Sequence, residues 1–115
     1  MNVVASKSKA FAIRIVKLSR YLQETQNERV LSTQILRSGT SIGANVYEGT
    51  RAFTHADFAH KMSIALKESV ETEYWLELLY ETDFLTEPMF HSLYSDNKEL
   101  TKLLTAILNT AKRKY

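Results

Sequence analysis

All three glycines of this chain, Gly39, Gly43 and Gly49, fall within the segment Arg37 to Gly49, RSGTSIGANVYEG, and no proline accompanies them. The segment lies inside a longer helical pattern of apolar residues. A glycine in a helix interior costs about 1 kcal/mol relative to alanine, so a helix that keeps Gly39 and Gly43 one turn apart must gain from the missing side chains. Close approach of another helix supplies that gain. A phosphate-cradling loop needs a preceding strand and a lysine after its last glycine, and GTSIG has neither. Gly39, Gly43 and Gly49 are therefore expected to be packing positions.

Around this segment the hydrophobic periodicity resolves into four helices, expected at about residues 6–25, 30–52, 55–84 and 87–113 of a single domain spanning 1–115. Phe11, Ile15, Leu18 and Leu22 recur at helical spacing before the polar break Thr25, Gln26 and Asn27. Leu31, Ile35, Ile42 and Val46 carry the second helix. Thr54 offers a hydroxyl cap to the third, with Asp57 placed where first-turn amides and the helix dipole favour a carboxylate. That third helix is apolar on two faces, one made by Phe58, Met62, Ala65, Leu76 and Leu79 and the other by Ile64, Trp75, Leu78 and Leu85, so it needs two partners. Thr86 and Pro88 suit the start of a fourth helix. Its residues Phe90, Leu93, Asn97, Leu100, Leu104, Ile107 and Ala111 then repeat at three- and four-residue steps, with Asn97 at a core position that would fix register. The fold expected is an all-α, up-down antiparallel four-helix bundle.

A chain of 115 residues buries about two thirds of its unfolded surface, enough for one core without staples. The absence of cysteine excludes a disulfide scaffold, a cysteine nucleophile and thiolate metal sites. Lysine and arginine interrupt the N-terminal segment too often for a signal peptide, and no run reaches membrane-spanning length. A cytoplasmic protein without membrane contact is expected.

The net charge of +2 conceals a segregation: residues 1–20 carry +5 and no acid, residues 61–85 carry −4, and the last thirty residues return to +2. Lys7, Arg14 and Lys17 share a face of the first helix and are nucleic-acid candidates together with Lys112, Arg113 and Lys114, with Tyr115 as a stacking surface. Complementary faces can equally meet within one subunit or between subunits. Asn45 and Glu48, three apart on one helix face, are candidates with Glu71 for a polar cluster, either a buried network fixing helix register or a site for a small molecule or cation. Glu73, Glu77 and Glu81 form an acidic ridge, expected to be solvated or to face another subunit. A carboxylate-bridged di-iron site needs glutamate followed three residues later by histidine on two helices, and the chain has no such pair. His55 and His60, flanking Asp57, point to divergent faces, so no metal is expected there. No grouping supports hydrolytic catalysis, and no cofactor is expected.

The glycine segment with Asn45, Glu48 and Gly49, then Phe58, the stretch ALKESVETEYWLELL from Ala65 to Leu79 and the closing heptads resemble the small four-helix bundle proteins encoded in intervening sequences of bacterial large-subunit ribosomal RNA genes. The resemblance covers nearly the whole chain, and it implies assembly into a homopentameric ring. More distantly the chain is similar to the accessory protein of diversity-generating retroelements, a pentameric bundle that works with a reverse transcriptase and RNA. One departure stands out: Asp83 replaces the glycine that many members carry at the end of the third helix, which puts the geometry of that turn in question. The resemblance implies no assigned reaction. The function expected is a non-enzymatic oligomeric scaffold or adaptor, its partners being further copies of itself and RNA or a nucleic-acid-handling protein. The alternative is a ligand-binding bundle using Asn45, Glu48 and Glu71.

Overall fold

The computed structural model describes residues 2–114, and side chains from Val3 to Lys112. Arg113, Lys114 and Tyr115, expected above to contribute charge and stacking, lie outside the described side chains. Four helices follow in order, α1 (Asn2–Glu24), α2 (Val30–Gly49), α3 (His55–Glu81) and α4 (Glu87–Lys114). They form an all-α four-helix bundle with extents of 46 × 20 × 20 Å, in which each helix packs on its neighbours in sequence and α4 closes back on α1 through a thinner seam.

α1 starts about four residues earlier than the apolar spacing implied. The interruption is Ser8, which is buried and turns its hydroxyl back to the Ala5 carbonyl at 3.2 Å, so the stripe continues through it to Val4. Phe11, Ile15, Leu18 and Leu22 complete the buried face. The helix unwinds at Asn27, which takes a positive φ of 55° while the Glu28 amide donates to the Leu22 carbonyl. Asparagine tolerates this left-handed conformation better than most residues.

Glu28 then starts α2. Its carboxylate accepts from the backbone amides of Val30, Leu31 and Ser32 at 3.1, 3.0 and 2.7 Å, placing a negative charge on the positive end of the helix dipole. α3 starts as its sequence suggested: Thr54 is extended and its hydroxyl accepts from the Asp57 amide at 3.0 Å. Its end is earlier than expected, at Glu81. Asp83 adopts φ 69° in place of a glycine, the Phe84 amide donates to Leu79 and the Asp83 amide to Tyr80, which together make a Schellman cap. Leu85 is therefore not on the second face of α3; it lies beyond the cap and is buried in the common core. The rest of that second face, Ile64, Trp75 and Leu78, is half-buried.

The glycines do what their positions required. A Cβ on Gly39 would lie 2.8 Å from Ile15 Cγ1, and one on Gly43 would lie 3.1 Å from the Ser8 carbonyl oxygen, so α1 approaches α2 to within backbone distance. At Gly49 the space is taken by side chains of α3, the Met62 methyl end and the Lys61 Cβ. The close neighbours are thus helices of the same chain.

The centre of the bundle is not uniformly apolar. Ser38 of α2 and Thr72 of α3 approach to 2.9 Å, Asn97 of α4 donates to the Ser69 carbonyl at 2.9 Å, and the Thr101 and Ser69 hydroxyls lie 3.0 Å apart. Ser38, Ser69, Thr72 and Asn97 are all fully buried. Asn97 Nδ2 ties α4 to α3 at one register, while its Oδ1 has no hydrogen-bond partner among the described residues.

Candidate nucleic-acid interface

Helical geometry divides the cations of α1 into two sets. Lys7 and Arg14 lean toward α4. Lys7 Nζ lies 3.0 Å from Glu99, and Arg14 reaches Asp96 at 2.7 Å and the Ser92 hydroxyl at 2.9 Å. These two candidates hold the α1–α4 seam. Lys17 lies on the same α4 side, in a groove lined also by Arg14, Tyr21, Met89 and Leu93, but it is exposed. Lys9 and Arg20, which the sequence reading did not single out, are also exposed, and none of Lys9, Lys17 and Arg20 has a carboxylate within ion-pair distance among the described residues. The three-residue and six-residue offsets from Arg14 to Lys17 and Arg20 were visible in the sequence. What α4 would place opposite each of them was not.

Lys112 lies on the α3–α4 side of the molecule, where it lines a groove with His55, Ala59, His60 and Leu108. It does not extend the cationic face of α1. Arg51, just past the end of α2, sets its guanidinium 3.8 Å from the centre of the Tyr47 ring.

The proposed cluster of Asn45, Glu48 and Glu71 is not assembled. Asn45 donates to the Ser41 carbonyl within its own helix at 2.8 Å. Glu48 pairs with Lys61 at 2.8 Å, and this hydrogen bond, with the charge of Glu48, raises the Lys61 pKa above the usual lysine value. Glu71 accepts from Trp75 Nε1 at 2.9 Å and pairs closely with Arg37, which also reaches Glu68 at 3.3 Å. The antiparallel register accounts for the separation: it sets Glu48 beside Lys61 but Arg37 and Ser38 beside Glu68, Glu71 and Thr72, so Glu71 stands about two turns from Asn45.

The acidic ridge also turns out to be largely internal. Lys98 Nζ lies 2.9 Å from Glu73 and the Tyr94 hydroxyl donates to Glu77 at 2.9 Å, so two of the three glutamates tie α3 to α4, and Glu81 is exposed. The hydrogen bond that Lys98 donates to Glu73 raises the Lys98 pKa. Tyr94 is raised first by desolvation and then by its hydrogen bond to Glu77. Among the described residues no group of three or more His, Asp or Glu is placed to hold a metal ion, and no helix is long and apolar enough to cross a membrane.

Fold and polar geometry together define a four-helix bundle in which part of the ionic groups join its own helices, while Lys9, Lys17 and Arg20 of α1 are among the described cations left without an ion pair. The chain belongs to the family of 23S rRNA-intervening sequence proteins, whose profile matches residues 1–106. It is similar to the crystal structure of a protein with unknown function from the S23 ribosomal protein family of Bacteroides thetaiotaomicron, at 53% identity, TM-score 0.92, and coverage of 94% of this chain and 96% of that one. The comparison with curated proteins gives no match.

Proposed function

We propose that this chain is a non-enzymatic, homo-oligomeric adaptor that binds nucleic acid, RNA above all, through the outer face of α1. The observation that carries the reading is the division of cations on that helix. Lys7 and Arg14 are neutralised by α4, whereas Lys9, Lys17 and Arg20 stand exposed without a carboxylate partner among the described residues. Cations in this state make sequence-independent phosphate contacts, and repetition around an oligomer multiplies them. Self-association is supported by apolar side chains left in solvent: Val70 and Tyr74 on the outer face of α3 and the fully exposed Phe53 after α2.

Fluorescence anisotropy with labelled RNA across a salt series tests the binding. Affinity should fall steeply with salt, and the paired change Lys17→Glu with Arg20→Glu should weaken binding at least tenfold and flatten the salt dependence. Absent or salt-independent binding by the wild type refutes the proposal. Light scattering tests the assembly, which a monomer at micromolar concentration would contradict. The separated Asn45, Glu48 and Glu71 give the ligand-binding alternative no support.

A further inference from the structure

Beside the cationic face of α1, between α1 and α2, runs a groove of about 420 Å³. Ala5, Gly43 and Ala44 form its floor, and Lys9, Tyr47 and Arg51 its rim. The floor side chains stop at Cβ or earlier, which keeps the groove open. The approach of the Ser8 carbonyl to Gly43 sets its depth by backbone. No carboxylate lines it among the described residues. Tyr47 is 60% exposed with the Arg51 guanidinium on its ring, and that guanidinium makes weak contacts to the Tyr47 carbonyl at 3.4 Å and the Thr50 hydroxyl at 3.3 Å. Neither Arg51 nor Lys9 has a carboxylate partner among the described residues.

An aromatic ring and two unneutralised cations at the mouth of an apolar, acid-free groove complement a ligand that is planar with apolar faces and anionic at its edge. A nucleotide with an unpaired base has that chemistry. An acidic peptide would meet the cations but leave the ring unused, and a duplex offers phosphates without free base faces. Resting on the nucleic-acid reading above, we propose that this groove is a base-stacking subsite for single-stranded nucleic acid. One base adds to the Tyr47–Arg51 stack over the Gly43–Ala44 floor, and the flanking phosphates meet Lys9 and Arg51. The strand then continues along α1 to Arg20, which shares the side of the helix that carries Lys9, a path of about 17 Å at the helical rise.

The test compares full-length variants in anisotropy titrations with fluorescein-labelled oligouridylate, using inorganic polyphosphate as a competitor that carries charge without bases. Tyr47→Ala should weaken binding about 5- to 150-fold, the range measured for loss of one stacked base, with the salt slope unchanged. Lys9→Gln and Arg51→Gln should each lower that slope by about 0.7. Ala44→Leu, at an exposed helical position, should block the groove without altering charge, leaving the circular dichroism melt and the light-scattering mass as in the wild type. If Tyr47→Ala and Ala44→Leu bind normally while the Lys17→Glu, Arg20→Glu variant is weakened, the subsite is refuted and the α1 reading stands. Polyphosphate competing as strongly as unlabelled oligouridylate overturns the stacking. A change of mass in Ala44→Leu would make the groove a contact between copies and also overturns it. Failure of the wild type to bind refutes both readings.

Discussion

Replacing Gly39 by alanine should expose how closely α1 and α2 are packed. The substitution alone gains about 1 kcal/mol of helix propensity. Against this, the new methyl would stand 2.8 and 2.9 Å from Ile15 Cγ1 and Cγ2, and Ile15 is fully buried. A β-branched side chain in a packed core has no free rotamer to move into, and overpacking of this kind costs about 1–3 kcal/mol. Gly39→Ala should therefore be neutral or destabilising by up to about 2 kcal/mol. Ile15→Ala should cost about 2–5 kcal/mol through lost burial and the cavity it leaves. In the double variant the clash vanishes, the propensity gain remains and the added methyl fills part of the cavity. The two changes should thus couple favourably by about 1–3 kcal/mol. Urea unfolding followed by circular dichroism, at one fixed protomer concentration because assembly shifts apparent stability, measures all four corners of the cycle. A full propensity gain for Gly39→Ala that adds to Ile15→Ala within about 0.5 kcal/mol would refute the close approach.

Asn97→Leu should stabilise the fold by about 1–3 kcal/mol in the same assay, since it removes an unpartnered buried oxygen and adds apolar burial in exchange for one hydrogen bond to Ser69; a loss above about 1 kcal/mol would contradict that account. Glu28→Ala should cost about 1–2 kcal/mol by releasing three first-turn amides of α2, whereas an unchanged urea midpoint would show the cap to be dispensable. Lys61, Lys98 and Tyr94 all hold their protons more tightly in the folded chain than free in water. Their contribution is therefore complete at neutral pH and lost as pH rises through the folded pKa values, above the ordinary 10.0 of tyrosine and 10.5 of lysine. Thermal melts from pH 8 to 11.5 should show a plateau and then a decline, and the variant Glu73→Gln with Glu77→Gln should decline less steeply.

The four helices and the core were legible because each rests on local periodicity: Phe11, Ile15, Leu18 and Leu22 on α1, or Leu93, Leu100 and Leu104 on α4, announce a buried face without reference to any other helix. The glycines were legible as close-packing positions for the same reason, since their cost is local. Errors fell where a polar residue sat in the apolar series. Ser8 hid the start of α1, and Ser38, Ser69 and Thr72 were not recognised as core because burial of a hydroxyl depends on partners from another helix. The end of α3 was misplaced because aspartate can take the left-handed cap that the sequence associated with glycine.

The candidate site was less legible than the fold. From the sequence, Lys7, Arg14 and Lys17 are equivalent cations on one face, and Asn45, Glu48 and Glu71 are plausible neighbours. Register alone separates them. It brings Glu99 and Asp96 to Lys7 and Arg14, leaves Lys17 in water, gives Glu48 to Lys61 and sends Glu71 to Arg37. Helix identity and amphipathic faces follow from interactions between residues three and four apart, so the amino-acid sequence determines them by itself. Which charges are neutralised and which remain for a partner depends on contacts between residues tens of positions apart, and only the packing of the four helices decides that.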